Sequence, residues 1–225
     1  MAGTKAGHDK RRSWVDPTNS RERKRTLVIM AKSPRLGLAK RRLGAEIGDV
    51  AALRFYRNCL NRSCLRLGSD PRWQTLLAVT PDRDLHARHW PRNIPRMAQG
   101  AGDLGQRMHR IFAELPPGDV IIIGSDIPAV QPSHIARAFH LLGRSDAVFG
   151  PARDGGYWLV GLKRMPAPPN AFAHVRWSGP HALADTLANL DGKTIALAAT
   201  LSDVDGAGAY RVQHRYFERL IVGLW

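Results

Sequence analysis

Residues 119–128 read DVIIIGSDIP, and this stretch decides the fold class. Four consecutive aliphatic residues, Val120 to Ile123, are followed by a short turn that contains Asp126 and ends at a proline. An apolar run without polar alternation is typical of a strand buried on both faces, as in a parallel sheet with helices on either side. The sequence therefore predicts a central strand that brings Asp126 to the carboxyl edge of a sheet.

Similar apolar runs recur on both sides of this stretch, separated by segments with helical periodicity. The predicted strands are 26–31, 74–80, 119–123, 146–150, 157–162 and 194–199. The predicted helices are about 39–67, 104–115, 133–142, 181–190 and 209–222. This alternation predicts an α/β fold, a three-layer sandwich with a mainly parallel mixed sheet. The strands at 146 and 157 are too close for a crossover helix, which predicts a local antiparallel or irregular pairing.

Composition and charge set the broad class of protein. The chain has 225 residues, 44% of them apolar, and 34 Lys and Arg against 19 Asp and Glu give a net charge of +15. We expect a basic flexible tail over 1–25 and a single domain over 26–225. The tail lacks the apolar region of a signal peptide, and we expect no membrane span. The charge favours phosphorylated or polyanionic partners.

Two cysteines, Cys59 and Cys64, lie on the same predicted helix. A separation of five residues places them about 140° apart around the helix, so they cannot form a disulfide without breaking it. Reduced thiols predict a cytoplasmic protein.

The loop after the first predicted strand is rich in cations. Residues 31–43 read AKSPRLGLAKRRL and lead into a predicted helix. Backbone amides at a helix start, together with Lys and Arg side chains, can hold a phosphate. The loop lacks the Gly-Lys-Ser/Thr ending of a Walker loop. A solvated basic turn is the alternative interpretation.

Acidic residues follow two of the predicted strands. Asp126 could provide a carboxylate to Mg²⁺ or Mn²⁺, or it could form an Asx-turn before Pro128. The pair Asp203 and Asp205 follows the last predicted strand, and one of them could reach the same ion if the two strand ends are neighbours. The alternative is a polar loop in which an aspartate caps the final helix.

Two glycine-containing motifs have competing interpretations. Residues 100–105, GAGDLG, fit the dinucleotide-binding pattern G-x-G-x-x-G, but two prolines in 91–97 argue against the strand that this fingerprint requires upstream. The glycines could instead let the backbone approach a ligand. Residues 154–158, DGGYW, indicate either a tight hairpin or a site where Asp154 contacts a substrate hydroxyl.

Six short motifs, taken in order, resemble one family. They are 30–34 with 40–43, 102–108, 124–128, 150–157, 177–178 and 203–205. Their joint order is similar to the bacterial GT-A-type, DUF2064 glycosyltransferase-like group of the nucleotide-diphospho-sugar transferase superfamily, over about residues 26–210.

The resemblance implies a GT-A fold, a bound nucleotide and a divalent ion, Mg²⁺ or Mn²⁺. It implies metal binding by Asp126 and Asp205. We expect catalytic roles for Lys40, Asp126 and Asp154. The resemblance also implies that Lys32, Lys40 and Arg42 face the nucleotide phosphates. We also expect Gly102, Asp103, Gly105 and Arg107 to bind the nucleotide. The implied acceptor-binding residues are Asp154, Gly155, Gly156, Tyr157 and Ser178.

These observations favour an enzyme that transfers a group from a nucleotide donor to a small acceptor. A nucleotide-sugar donor would be attacked at its anomeric carbon, whereas a nucleoside triphosphate would be attacked at its α-phosphorus with release of pyrophosphate. The residues alone do not distinguish between these two reactions. Alternatives from other classes are an NAD(P)-dependent oxidoreductase built on residues 100–105 and a nucleotide-binding protein without catalysis. The net charge also suggests a nucleic-acid-binding protein, but the scattered aromatic residues argue against a stacking platform for single-stranded nucleic acid.

Overall fold

A computed structural model, which describes residues 24–164, 167–204 and 206–211, contains an alternating series of strands and helices. The strands are β1 (Arg25–Lys32), β2 (Gln74–Thr80), β3 (Arg96–Ala98), β4 (Gly118–Gly124), β5 (Ala147–Pro151), β6 (Tyr157–Arg164) and β7 (Ile195–Leu197). The α-helices are α1 (Arg41–Ile47), α2 (Asp49–Gly68), α3 (Leu104–Glu114), α4 (Pro132–Arg144) and α5 (Ala182–Ala188).

The strands form one sheet in the order β3-β2-β1-β4-β6-β5-β7. Strand β6 runs antiparallel to both of its neighbours, β4 and β5, and the other neighbouring pairs are parallel. The predicted mainly parallel mixed sheet is confirmed, and so is the antiparallel pairing expected between the strands at 146 and 157.

Helices cover both faces of the sheet. Alternate residues of each strand point to opposite faces, and the apolar ones pack against the helices on that side. Helices α2 and α4 bury Leu60, Leu67 and Phe139 against one face. Helix α3 buries Ile111 and Phe112 against the other, where side chains of α5 also pack. The predicted three-layer sandwich is therefore confirmed. Burial of a large aliphatic side chain stabilises the fold by about 1.5–3 kcal/mol.

Two sequence predictions about local structure are wrong. The helix predicted over 39–67 is two helices, because Gly48 adopts φ 88° and turns the chain between α1 and α2. The proline-containing segment before residue 100 does form a strand, the three-residue β3, which pairs with β2 at the edge of the sheet. An edge position tolerates nearby prolines because one side of the strand needs no partner.

The ends of the chain lie largely outside the described residues. Strand β1 begins at Arg25, inside the segment predicted as a tail, and residues 1–23 are not among those described. Residues 207–211 are helical, but the remainder of the predicted helix 209–222 is not described. Cys59 and Cys64 are both buried in α2 as free thiols. Among the described helices, none is long and apolar enough to cross a bilayer.

Candidate active site

The centre of the sheet contains a point where the chain changes direction. From β1 the chain continues outward through β2 to β3, then returns to place β4 on the other side of β1. Because β1 and β4 are parallel neighbours, with Met30 opposite Gly124, the loops that follow them leave the same edge of the sheet. Ligands of open α/β sheets bind in the crevice that such a reversal creates.

The two loops meet through an ion pair in this crevice. The Nζ of Lys40 lies 2.6 Å from an Oδ atom of Asp126. The Lys40 side chain is only 6% exposed and that of Asp126 27%, so solvent screens this pair less than a surface pair. Lys40 adopts a left-handed backbone, with φ 53° and ψ 47°, immediately before α1. Strained backbone of this kind persists where the surrounding structure holds it.

A buried tyrosine joins the same two loops from below. The Tyr56 hydroxyl, on α2, accepts a hydrogen bond from the backbone N–H of Lys32 and donates one to the carbonyl of Lys32, both at 2.8 Å. It also lies 3.1 Å from the Oγ of Ser125, beside Asp126. Burial raises the pKa of Tyr56, and the nearby Asp126 carboxylate raises it further. Tyr56 therefore stays protonated and fixes the end of β1 to the end of β4.

A cavity of about 500 Å³, called the first cavity below, opens beside the ion pair of Lys40 and Asp126. Its charged lining consists of Lys32, Lys40, Arg41, Arg42 and Asp126. The structure thus brings the three predicted phosphate-contacting residues, Lys32, Lys40 and Arg42, to one cavity with Asp126. Gln99 also lines it and donates from its amide to the carbonyls of Ala31 and Ala78.

The residues of the motif at 102–107 make local structural contacts, and Arg107 also lies 3.5 Å from the Oγ1 of Thr80, which lines the first cavity. Asp103 caps α3 in a reciprocal capping box with Gln106, and Arg107 donates to the carbonyl of Gly102. Gly105 is needed for packing, since a Cβ there would lie 2.7 Å from Cζ2 of Trp177. Gly102, Asp103, Gly105 and Arg107 do not line the first cavity.

The dinucleotide fingerprint also fails on topology. In that fold the acidic residue follows a strand adjacent to the one before the glycines. Here the glycines follow β3 at the edge, whereas Asp126 follows β4, and β2 and β1 lie between the two.

The second cavity, of about 230 Å³, adjoins the first and shares Asp126 with it. Asp154, Gly156, Tyr157 and Ser178, four of the five predicted acceptor-binding residues, line it. The Oδ1 of Asp154 accepts a hydrogen bond from the N–H of Gly156 at 3.0 Å, which holds the turn between β5 and β6.

Gly155 and Asp203 differ in their position relative to this cavity. Gly155 does not line it, because its backbone, at φ 84°, packs against Pro180. Asp203, the first acid of the pair after the last strand, does line it. Asp205, the predicted metal ligand, lies outside the described residues.

A family model described as "Uncharacterized protein conserved in bacteria (DUF2064)" matches residues 64–179 of the chain. The chain belongs to the DUF2064 family. The matched segment carries Asp126, the β5–β6 turn with Asp154, and Ser178. No curated protein matches the chain in sequence.

Solved structures extend the likeness to most of the DUF2064 chain. A provisionally named nucleotide-diphospho-sugar transferase from Desulfovibrio desulfuricans G20 is 25% identical, with a TM-score of 0.76 over 85% of this chain and 87% of that one. A CMP:2-keto-3-deoxy-manno-octonic acid synthetase complexed with CTP is 11% identical, with a TM-score of 0.54 over 87% and 99%. The manganese complex of Rv0371c from Mycobacterium tuberculosis H37Rv is 15% identical, with a TM-score of 0.50 over 84% and 96%. The fold is thus that of the nucleotide-diphospho-sugar transferase type, in agreement with the expectation of a transferase.

Two carboxylates of the second cavity, Asp126 and Asp203, are of the type that binds a hard divalent ion. Asp126 and Asp203 line the same second cavity, and Mg²⁺ is usually bound by one or two carboxylates with substrate phosphates and water as the other ligands. Within the described part of the chain, no group of three or more His, Cys, Asp or Glu could hold a metal alone. The donor set therefore fits an ion that binds together with a phosphorylated ligand.

Sequence reasoning missed several residues of this site. Tyr56 belongs to the apolar face of a long helix, where nothing in the pattern separates it from core residues. Gln99 follows the strand that was not predicted. Trp177 belongs to one of the six motifs, but its packing on Gly105 depends on tertiary structure. Asp203 was not missed, since it is one of the two candidate acids after the last predicted strand, although the resemblance favours Asp205.

Proposed function

We propose that the chain is a divalent-metal-dependent transferase that takes a glycosyl group from a nucleotide-sugar donor and passes it to a small acceptor. The observation that carries this proposal is the meeting of Lys40 and Asp126, 2.6 Å apart, in a cationic cavity at the reversal point of the sheet. The adjoining second cavity, which shares Asp126, supplies a separate place for an acceptor. The likeness to a nucleotide-diphospho-sugar transferase supports the choice of donor.

The cationic residues would bind the donor diphosphate. Lys32, Lys40, Arg41 and Arg42 line the first cavity, and fixed positive charges stabilise the negative charge that develops on a leaving diphosphate. Tyr56 holds Lys32 in place through both of its backbone hydrogen-bonding groups. This rigidity matters because preorganised charges need not rearrange during the reaction.

The carboxylates would serve the ion and the acceptor. Asp126, with Asp203 or Asp205, would hold Mg²⁺ or Mn²⁺, which when bound neutralises the diphosphate and acts as a Lewis acid. Manganese in a neighbour of the same fold supports this choice. Asp154, in the second cavity, would accept the proton of an acceptor hydroxyl.

Nucleotidyl transfer is the second candidate function, because a neighbour of the same fold is a synthetase complexed with CTP. The same cavity would then hold a nucleoside triphosphate, and the products would include pyrophosphate rather than a nucleoside diphosphate. Incubation with UDP-sugars, GDP-sugars and nucleoside triphosphates, followed by detection of the released phosphate compound, separates the two reactions.

Calorimetric titration tests the binding part of the proposal. UDP, GDP and CDP are titrated with and without MnCl₂, and at least one is expected to bind in a Mn²⁺-dependent manner. Lys40→Ala should weaken that binding at least tenfold, with a larger loss at low salt. Asp126→Asn should remove the Mn²⁺ dependence. Lys193→Ala, which removes an exposed charge in the turn after α5, is the control. Wild-type affinity in Lys40→Ala, or no binding of any of the three nucleotides, would refute the proposal.

A further inference from the structure

The two adjoining cavities are lined by charged side chains of mostly opposite sign. Four cations and one carboxylate line the first cavity. Among the described residues that line the second cavity there are three carboxylates, Asp126, Asp154 and Asp203, and no Lys, Arg or His. The side chain of Arg153, next to Asp154, does not line it. In a chain with 34 Lys and Arg against 19 Asp and Glu, this local reversal of sign is a specific feature of the second cavity.

Aromatic residues form much of the remaining wall. Tyr157 and Trp177 line the cavity with their rings 6.4 Å apart at 70°, and Trp158 lines it beside them. The indole N–H of Trp158 donates to the carbonyl of Ala199, and the Tyr157 hydroxyl lies 3.4 Å from the Oγ1 of Thr186. The polar atoms of these two residues are therefore used within the protein, so they offer a ligand mainly apolar ring surface.

This combination selects for hydroxyl groups and C–H faces. Ionised carboxylates only accept hydrogen bonds, so they suit a ligand that presents several O–H donors. Aromatic rings suit the apolar C–H face of a sugar or polyol. A volume of about 230 Å³ is below the range of ~300–1,000 Å³ that is usual for drug-sized ligands. The occupant is therefore small.

A bound ion does not reverse the sign of the second cavity. Without ligands Asp126 is already paired with Lys40, so Asp154 and Asp203 set the sign of the second cavity. With an ion bound, Asp126 and Asp203 would balance the divalent cation, and the donor diphosphate would add negative charge beside it. Asp154 would keep its charge. A phosphate or carboxylate group on the acceptor would thus meet like charge in either state, and close like-charge contacts are unfavourable.

We infer that the acceptor of this enzyme is an uncharged polyhydroxyl compound, a small sugar or polyol, and that the second cavity rejects phosphorylated and carboxylated analogues. The inference rests on the proposed function, since it assigns the second cavity to the acceptor. It adds the chemical class of that acceptor and the residues that set it, Asp154 and Asp203.

A comparison of the binding affinities of neutral and anionic sugars tests the inference. Glucose, galactose, mannose and glycerol are compared with glucose 6-phosphate and glucuronate, by quenching of tryptophan fluorescence in the full chain with MnCl₂ and the nucleoside diphosphate that binds best. At least one neutral compound should bind at least tenfold more tightly than either anion. Equal or tighter binding of an anion, or no binding of any neutral compound while the nucleotide binds, overturns the inference.

Charge-neutral variants identify the residues responsible. Asp154→Asn keeps an oxygen for the Gly156 N–H, removes the charge and replaces the other carboxylate oxygen with an N–H donor. It should reduce the discrimination against glucose 6-phosphate at least threefold, and Asp203→Asn should act in the same direction. Asp191→Asn is the matched control, since Asp191 also accepts a hydrogen bond from the following backbone N–H, in a turn away from the cavity. Unchanged discrimination in both cavity variants overturns the assignment of those residues.

Nucleotide binding is measured in the same samples, which separates the two claims. If no nucleoside diphosphate binds, while neutral sugars still bind more tightly than anions, the proposed function fails and only the selectivity of the second cavity for neutral compounds stands. If a nucleoside diphosphate binds and the anionic sugars are preferred, the proposed function stands and the acceptor class is wrong.

Discussion

Removal of the Tyr56 hydroxyl should destabilise the DUF2064 chain more than the loss of one oxygen suggests. Tyr56→Phe keeps the ring, so it creates no large cavity where α2 packs against the sheet. It removes two hydrogen bonds with the backbone of Lys32, both of 2.8 Å, and a third contact of 3.1 Å with Ser125. The hydroxyl has no unused hydrogen-bonding capacity, because it donates its proton to the Lys32 carbonyl and accepts from the Lys32 N–H and the Ser125 hydroxyl.

The expected loss follows from those three contacts. An intramolecular hydrogen bond contributes about 1 kcal/mol net, and a buried group left without a partner costs about 1–3 kcal/mol. Since the Lys32 contacts are only partly buried, some of the lost bonds are replaced by water. We therefore expect the free energy of unfolding to fall by about 2–3 kcal/mol. Tyr157→Phe, which loses a single 3.4 Å contact, should cost under about 1 kcal/mol.

Urea unfolding monitored by tryptophan fluorescence measures both variants. If the unfolding free energies of the two variants depend on urea concentration with equal slopes, the free energies extrapolated to water can be compared directly. The nucleotide affinity of Tyr56→Phe should fall as well, because the ends of β1 and β4 lose their common anchor. If Tyr56→Phe loses no more stability than Tyr157→Phe, the account of Tyr56 as the link between the two loops is refuted.

Three further predictions concern other parts of the fold. Gly105→Ala should lower the free energy of unfolding by about 1–3 kcal/mol, because its Cβ would clash with Trp177. Gly143→Ala, in open space in α4, should be neutral or stabilising by up to about 1 kcal/mol, and thermal unfolding compares the two variants. Burial raises the pKa of both cysteine thiols to about 12, so the folded protein should react with a thiol reagent at neutral pH much more slowly than the urea-unfolded protein. Hydrogen bonds from Arg176 hold the pKa of Asp185 below its ordinary value of 3.8, so this carboxylate stabilises the fold above pH 3.8 and the contribution is lost as the pH falls further; Asp185→Asn should flatten the acid side of a plot of melting temperature against pH.

The strands of the sheet and their order of appearance are local properties, and this is why the sequence predicts them well. Strand β2 has the bounds expected from its apolar run, and β4 brings Asp126 to the sheet edge as expected. Strand β3 was missed because its three residues have no period of their own and pair only because β2 offers an open edge. The break at Gly48 was missed because glycine is tolerated inside helices as well as between them.

Site geometry was predictable only in part. The cationic loop and Asp126 could be placed at one edge of a parallel sheet, because each follows a predicted strand. Their direct contact depends on the left-handed backbone of Lys40, which residue type does not favour. The position of Tyr56 beneath both loops depends on how α2 crosses the sheet, which is a property of the packed structure.

The ion pair between Lys40 and Asp126 has a consequence for how ligands would bind under the proposed function. A diphosphate alone would have to draw Lys40 away from a carboxylate that then lacks a partner, and a divalent cation alone would have to draw Asp126 away from a mostly buried ammonium group. Leaving either charge uncompensated in a partly desolvated site is costly. When both ligands enter together, each charged residue receives a new partner and the cost of separating the pair is met once. The affinities for the nucleotide and for the ion are then coupled, and by linkage the coupling is the same in both directions.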